Sequence, residues 1–304
     1  MVQDHIWRQI ATLLASATSR VVLVAPFIKA PVFEAALTAI PRAVASITCV
    51  TRWSPVAVAA GVSDPEIIDV ARVDGRAKIL LCHDLHAKLY VSDNKCLVGS
   101  ANLTGKATGR SQPANIELLV EVDADHPEVD ALLTRLLTES TPATPRLAAL
   151  VRAQADLLTA SDLALISPEA ENAGHGARWY PTTRAPERLY RIYLGDTRGC
   201  PQAVLEGALS DLAHLDLPPG LDEGRFRAVI RDRLYAMPEV SALVEMGRIT
   251  SVELEIALLN NGVSSAVDAA EKALTITRWL TFFDAELHTV PAGPYEIIRG
   301  RRMP

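Results

Sequence analysis

The residues with chemical potential cluster in one stretch. His86 and Lys88 open the run His86–Ala87–Lys88–Leu89–Tyr90–Val91–Ser92–Asp93, and Gly99–Ser100–Ala101–Asn102 follows shortly after. On a strand, residues two apart point to the same face. An imidazole beside an ammonium is unfavourable there unless something anionic lies between them. A lysine inside an apolar strand therefore reads as a group waiting for an anion. The Gly-Ser-Ala-Asn turn offers backbone N–H groups, a hydroxyl and a carboxamide, which suit phosphate oxygens. Histidine serves as nucleophile or as general acid. Glu117, in Asn115–Ile116–Glu117, is placed to orient the imidazole through its second nitrogen. A lone strand histidine is usually structural, and a lone Gly-Ser-x-Asn is a common turn. The joint spacing is what points to phosphoryl chemistry.

Other candidates are weaker. Cys82–His83–Asp84–Leu85–His86 contains metal-ligand residue types, but its spacing fits no closed zinc site. No metal or other cofactor is expected, and His83 and Asp84 are expected to flank the site. Lys106 follows the Asn102 turn closely and is a candidate substrate contact. Residues 178–198 interleave Arg178, Arg184, Arg188 and Arg191 with Trp179, Tyr180, Tyr190 and Tyr193. Arginines among stacking aromatics suit a phosphate backbone. A structural strand with tyrosines in the core and arginines at its edges accounts for the same pattern equally well.

Elements must position these groups. Apolar spacing predicts a helix over 4–17, and the run VVLVAPFI a buried strand from Val21. A helix over 31–40 and a strand over 46–52 follow. A helix over 64–70 is expected, with Asp64 as its cap. Strands are expected at 78–82, 87–91, 96–99 and 116–122, then a helix over 127–138. Strands separated by helices predict an α/β domain with a mixed sheet. Thr141 to Pro145 (TPATP) reads as a linker, followed by a helix over 146–158, a loop over 168–186 and a strand over 187–195. Helices are expected at 201–214, 223–236, 250–260 and 265–283, with Thr250 and Glu253 forming a capping box. The closing HTVPAGPYEIIRG reads as a hairpin. Helices followed by a hairpin fit a winged helix, although charge in this region is balanced and a dimerisation or partner-docking module fits as well.

Composition sets the bounds. The 304 residues carry a formal charge of −6, and 49% are hydrophobic, which excludes a disordered or collagen-like chain. The four cysteines, Cys49, Cys82, Cys96 and Cys200, form no CxxC pair, so a reduced cytoplasmic setting is expected. The N-terminus lacks the pattern of a signal peptide, and no apolar run is long enough to span a membrane.

The motif resembles that of the phospholipase D superfamily, HxKxxxxD followed by GSxN, with every position filled by His86, Lys88, Asp93, Gly99, Ser100 and Asn102. The resemblance covers about residues 1–140. It implies a mixed β-sheet flanked by helices and phosphodiester chemistry without a metal. One histidine forms a phosphohistidine while a second protonates the leaving oxygen. By this resemblance His86 is nucleophile or acid, Lys88 and Asn102 bind phosphate, Ser100 supports them and Glu117 orients His86. Asp93 more naturally holds a loop. Such a site needs two motifs, and none of His5, His83, His126, His175, His214 and His288 has a lysine two residues later. A homodimer meeting at a two-fold axis is therefore expected.

The layout is similar to bacterial nucleases of that family, including restriction-type enzymes. The expected activity is a nuclease cleaving DNA, in restriction or phage defence. A phospholipase and a non-catalytic DNA-binding or assembly subunit are the alternatives. The expected division is a catalytic domain over 1–140, a linker helix and loop over 141–186, and a mainly helical accessory domain over 187–304 that binds nucleic acid, dimerises or docks a protein partner.

Overall fold

The computed structural model describes residues 4–160, 178–291 and 295–299. The chain forms two compact units, residues 1–170 and 171–304.

In the first unit, α1 (His5–Ala15) leads into β1 (Arg20–Val24), α2 (Ala30–Ala39), β2 (Ser46–Thr51), α3 (Pro55–Ala59), α4 (Ile67–Asp74) and β3 (Ala77–Leu81). Then come β4 (Leu89–Ser92), β5 (Lys95–Gly99), β6 (Leu119–Asp123), α5 (Pro127–Glu139), β7 (Thr141–Pro142) and α6 (Pro145–Ala160). The strands make one seven-stranded sheet in the order β6-β5-β4-β1-β2-β3-β7. Pairs β1–β2 and β2–β3 are parallel, while β4, β5 and β6 alternate in direction. This is the mixed sheet flanked by helices that the sequence predicts.

Strand alternation divides the core. Val21 and Leu23 face α1, α2, α4 and α6, joining Ile10, Leu14, Phe33, Ile67 and Val151. Val22 and Val24 face the other side with Leu89, Val91 and Cys96, under Val129, Leu133 and Leu136 of α5. β1 is apolar on both faces because helices cover both.

Two expectations fail here for a common reason, long-range pairing. TPATP is not a linker: Thr141 and Pro142 pair with Leu81 and Leu80, and α6 buries Ala148, Val151 and Ala155 in the first unit's core. Arg152 of α6 also clasps Glu66 through Nε and an Nη at 2.7 and 2.8 Å. Asp64 does not cap a helix over 64–70. Its carboxylate accepts from Lys29 Nζ at 2.5 Å and Ala30 N at 2.9 Å, capping α2 instead.

The second unit contains α7 (Leu189–Tyr193), α8 (Gln202–Leu215), α9 (Glu223–Tyr235), α10 (Ser241–Met246), β8 (Arg248–Thr250), α11 (Ser251–Asn260), α12 (Ala266–Phe283), β9 (Leu287–Val290) and β10 (Glu296–Arg299). The expected capping box is present: Thr250 Oγ1 accepts from Glu253 N, and Glu253 Oε2 accepts from Thr250 N at 2.8 Å. The strand expected over 187–195 is instead a 3-10 turn at Pro186–Arg188 running into α7. Leu189, Ile192 and Tyr193 are buried at helical spacing, and Phe226 of α9 packs against both Tyr190 and Tyr193. The loop expected over 168–186 lies partly outside the described residues. The final hairpin pairs Glu296 with Val290. The three-stranded sheet has the order β8-β10-β9, so α10–β8–α11–α12–β9–β10 follows the path of a winged helix.

Candidate active site

Sheet direction assembles the site. The parallel strands β1 to β3 all end at one edge of the layer, where the antiparallel β4 begins, β5 ends and β6 begins. His86 and Lys88, Gly99 to Asn102, and Asn115 to Glu117 are therefore brought to the same end of the sheet. His86 and Lys88 lie just ahead of β4 and Glu117 just ahead of β6, rather than within those strands.

Gly99 is required by close approach. A Cβ there would sit 1.9 Å from the carbonyl oxygen of Leu118. The Gly99 N–H donates to Lys88 O at 3.3 Å, and the Ser100 N–H to Leu118 O at 3.0 Å. Both N–H groups are thus spent on continuing the sheet, and the turn cannot offer them to a phosphate as the sequence reading supposed.

The side chains of the site are held from behind. Asn102 Oδ1 accepts from Phe27 N at 3.3 Å, which leaves its Nδ2 group as the donor side. The buried Tyr90 donates its hydroxyl to Ala101 O at 2.8 Å, tying the turn to β4. The Ser100 hydroxyl donates to Glu117 Oε2 in a short contact and accepts from Leu118 N at 3.1 Å. Asn115 Nδ2 donates to Glu117 Oε1 at 3.2 Å. Both Glu117 oxygens are therefore engaged by Ser100 and Asn115, and not by the ring of His86. The imidazole is exposed and makes no hydrogen bond among the described residues. Lys88 Nζ donates to the backbone carbonyl of His86 at 2.7 Å.

Asp93 lies at the opposite end of β4, in the two-residue turn to β5, with φ of 54°. Its carboxylate accepts from the N–H and hydroxyl of Thr18, from the N–H and hydroxyl of Ser19, and from Arg20 N, at 2.6–3.0 Å. These bonds, that of the Ser19 hydroxyl foremost, hold the carboxyl well below the usual carboxylate range. Asp93 staples the entry of β1 to the sheet, remote from His86.

Lys106 is exposed, and its backbone carbonyl accepts from Asn115 N at 3.1 Å, so it shares a loop with the Glu117 cluster. The four candidate arginines belong to the second unit and are paired inside it. Arg178 binds the buried Glu239 at 3.2 Å, Arg184 binds Glu271 at 3.4 Å, Arg188 donates to Gly199 O at 2.8 Å, and Arg191 binds Asp196 at 2.8 Å.

Arg52 was missed by sequence reasoning. It follows β2 at the same end of the sheet, nearly buried, with its guanidinium 5.6 Å from the Phe27 ring centre. Its only sequence signal is a cation closing an apolar strand. Among the described residues no group of three or more His, Cys, Asp or Glu side chains is placed to hold a metal ion. No helix among them is long and apolar enough to cross a membrane.

No family model matches the chain, and no curated protein matches it. Among solved structures it is similar to Nuc from Salmonella typhimurium, a phospholipase D family member, at 17% identity and a TM-score of 0.36, over 45% of this chain and 90% of that one. It is also similar to NucT from Helicobacter pylori, at 12% identity and a TM-score of 0.33, over 46% and 92%. A third likeness is to the archaeal chromatin protein TrmBL2, whose structure shows a novel mode of DNA binding, at 17% identity and a TM-score of 0.30, over 45% and 48%. Likenesses this remote carry no functional argument of their own. The resemblance to the phospholipase D superfamily stands on His86, Lys88 and the Gly99–Asn102 turn, gathered at one end of a mixed sheet.

Proposed function

We propose that this protein is a phosphodiesterase that cleaves DNA through a phosphohistidine at a site shared by two copies of the chain. The observation that carries this reading is the gathering of His86, Lys88 and Asn102 at one sheet end, with Ser100, Asn115 and Glu117 bracing the turn behind them.

The chemistry follows from these groups. An imidazole nitrogen of one His86 attacks phosphorus, and a P–N bond forms as a P–O ester bond breaks. The leaving oxygen takes a proton from the imidazolium of the second His86. That ring, now neutral, accepts a proton from water, whose oxygen attacks phosphorus and breaks the P–N bond. Lys88 and Asn102 hold the nonbridging oxygens, where fixed charge and dipoles stabilise the spread negative charge.

Two features support a second copy. A single chain supplies one such imidazole where the reaction uses two. The edge strand β6 and the segment before it also expose an apolar strip beside the site: Ile116 is 95% exposed, Leu118 65% and Val120 50%, with Val98 paired to Val120. These residues alternate onto one face, and an unpaired strand edge with apolar side chains invites another chain. The open setting of His86 and Ser100 favours a polymer backbone lying across the site over an acyl chain buried in it. We further propose a restriction or phage-defence setting.

The test incubates the full chain with labelled duplex and single-stranded DNA in excess EDTA, beside His86→Ala. Cleavage should persist in EDTA and disappear in the variant. Cleavage abolished by EDTA, cleavage retained by the variant, or turnover of phosphatidylcholine without DNA cleavage would each overturn the reading.

A further inference from the structure

The winged-helix region of the second unit has the path of a DNA reader but not its surface. In a helix-turn-helix the second helix meets the major groove with its N-terminal residues, and cations contact the phosphates. Here α12 exposes Val267, Glu271, Leu274 and Arg278 along one stripe, with Val267 73% exposed and Leu274 46%. The 4-3-4 spacing keeps the four on a single face. Asp268 and Glu271 make the first turns acidic, and Lys272 is bound to Asp268 at 2.7 Å. Such a face offers phosphates no net positive charge and leaves apolar groups in water. α11 repeats the pattern, exposing Val252, Ile256 and Leu259 at 4-3 spacing.

The order of charges identifies the occupant. In an antiparallel contact about a two-fold axis, residue i of one helix faces residue j of the other with i + j constant. Centred beside Leu274, this sets Glu271 of each copy against Arg278 of the other, on both sides of a Leu274 contact. Glu271 now meets Arg184 at 3.4 Å, an exposed pair with both side chains 63% accessible, which gives little resistance to exchange.

We propose that α12 is a self-association helix, and that its partner is α12 of a second copy of this chain, packed antiparallel through Leu274 with reciprocal Glu271–Arg278 pairs. The contact is separate from the one proposed beside His86. If the two share an axis they close a dimer, and with separate axes they join copies into longer assemblies.

Sedimentation equilibrium on the full chain tests this, with Ile116→Asp/Leu118→Asp as a background in which the edge strip no longer associates. On that background Leu274→Glu should weaken the remaining association by about 30-fold or more, as for a central contact residue. Glu271→Arg and Arg278→Glu should each weaken it, and the double variant should restore it, because the cross-pairs re-form with reversed sign. A role of Glu271 through Arg184 alone predicts no rescue.

Association unaffected by Leu274→Glu, or a double variant no better than the singles, overturns the proposal. So does loss of duplex binding in Arg278→Ala with association intact, which would make α12 a DNA reader. If the α12 variants dissociate the wild-type background and the edge-strip variant changes nothing, the shared catalytic site fails and this proposal stands. The reverse pattern fails this proposal alone. Circular-dichroism melts check that each variant is folded.

Discussion

Lys88 beside His86 and the arginines of residues 178–198 look alike in sequence and stand in different settings. At the sheet end, Lys88 bonds to the backbone carbonyl of His86, and Asn102 is held through its Oδ1 by Phe27 N. In the second unit Arg178, Arg184 and Arg191 are matched to carboxylates and Arg188 to a carbonyl. The lesson is that a run of basic residues read from sequence is no binding surface where folding gives each of them a partner in its own unit. Paired inside their own unit, the same groups are structural.

The sharpest way to break this contrast is activity. His86→Ala should lower DNA cleavage about a thousandfold or more, the scale of losing a nucleophile or general acid. Alanine at Arg184, Arg188 or Arg191 should change it about twofold at most in the same gel assay. A large effect from those arginines would erase the distinction.

Next is stability. Gly99→Ala drives a methyl group into the Leu118 carbonyl. It should cost about 3 kcal/mol in denaturant titration and take activity with it, because β5 and β6 must part. In the second unit, Asp211 is fully buried and accepts from Trp179 Nε1, Thr182 N and Oγ1, and Thr183 N. Asp211→Ala strands these donors and should cost about 2–3 kcal/mol, while cleavage by the folded protein is retained at low temperature.

The smallest effects are in pH dependence, and they have opposite signs. Asp93 titrates below its unfolded range, so the stability it contributes is present above about pH 4 and is lost as pH falls further. Burial pushes Asp211 up to about 6 from 3.8, against the donors that lower it. Its protonation favours the folded state, so that contribution is full below pH 3.8 and is lost as pH rises through about 6. Asp93→Asn should flatten the acid limb of a melting-temperature profile, and Asp211→Asn the segment between about pH 4 and 6.

Much of the fold was legible. Most helices and strands lie within a few residues of their expected positions, and Ile6, Ile10, Leu13 and Leu14 are buried on α1 as their spacing predicts. The segment 187–195 misled because Tyr190, Ile192 and Tyr193 satisfy strand propensity, while packing on Phe226 selects a helix. The motif marked where His86, Lys88 and Asn102 stand. It did not reveal that the N–H groups of Gly99 and Ser100 are consumed by the ladder, or that Glu117 is held by Ser100 and Asn115.

What the sequence by itself determined is local: helical and strand periods, the capping box at Thr250, and the spacing of the motif from His86 to Asn102, each written in one continuous stretch of chain. What only the tertiary structure decided is which distant groups meet. Asn102 accepts from Phe27, Asp93 staples Thr18 to Arg20, and residues 141–160 join the first unit. Such contacts depend on strand order and direction. Those follow from burying both faces of one sheet at once, which no short window of sequence encodes.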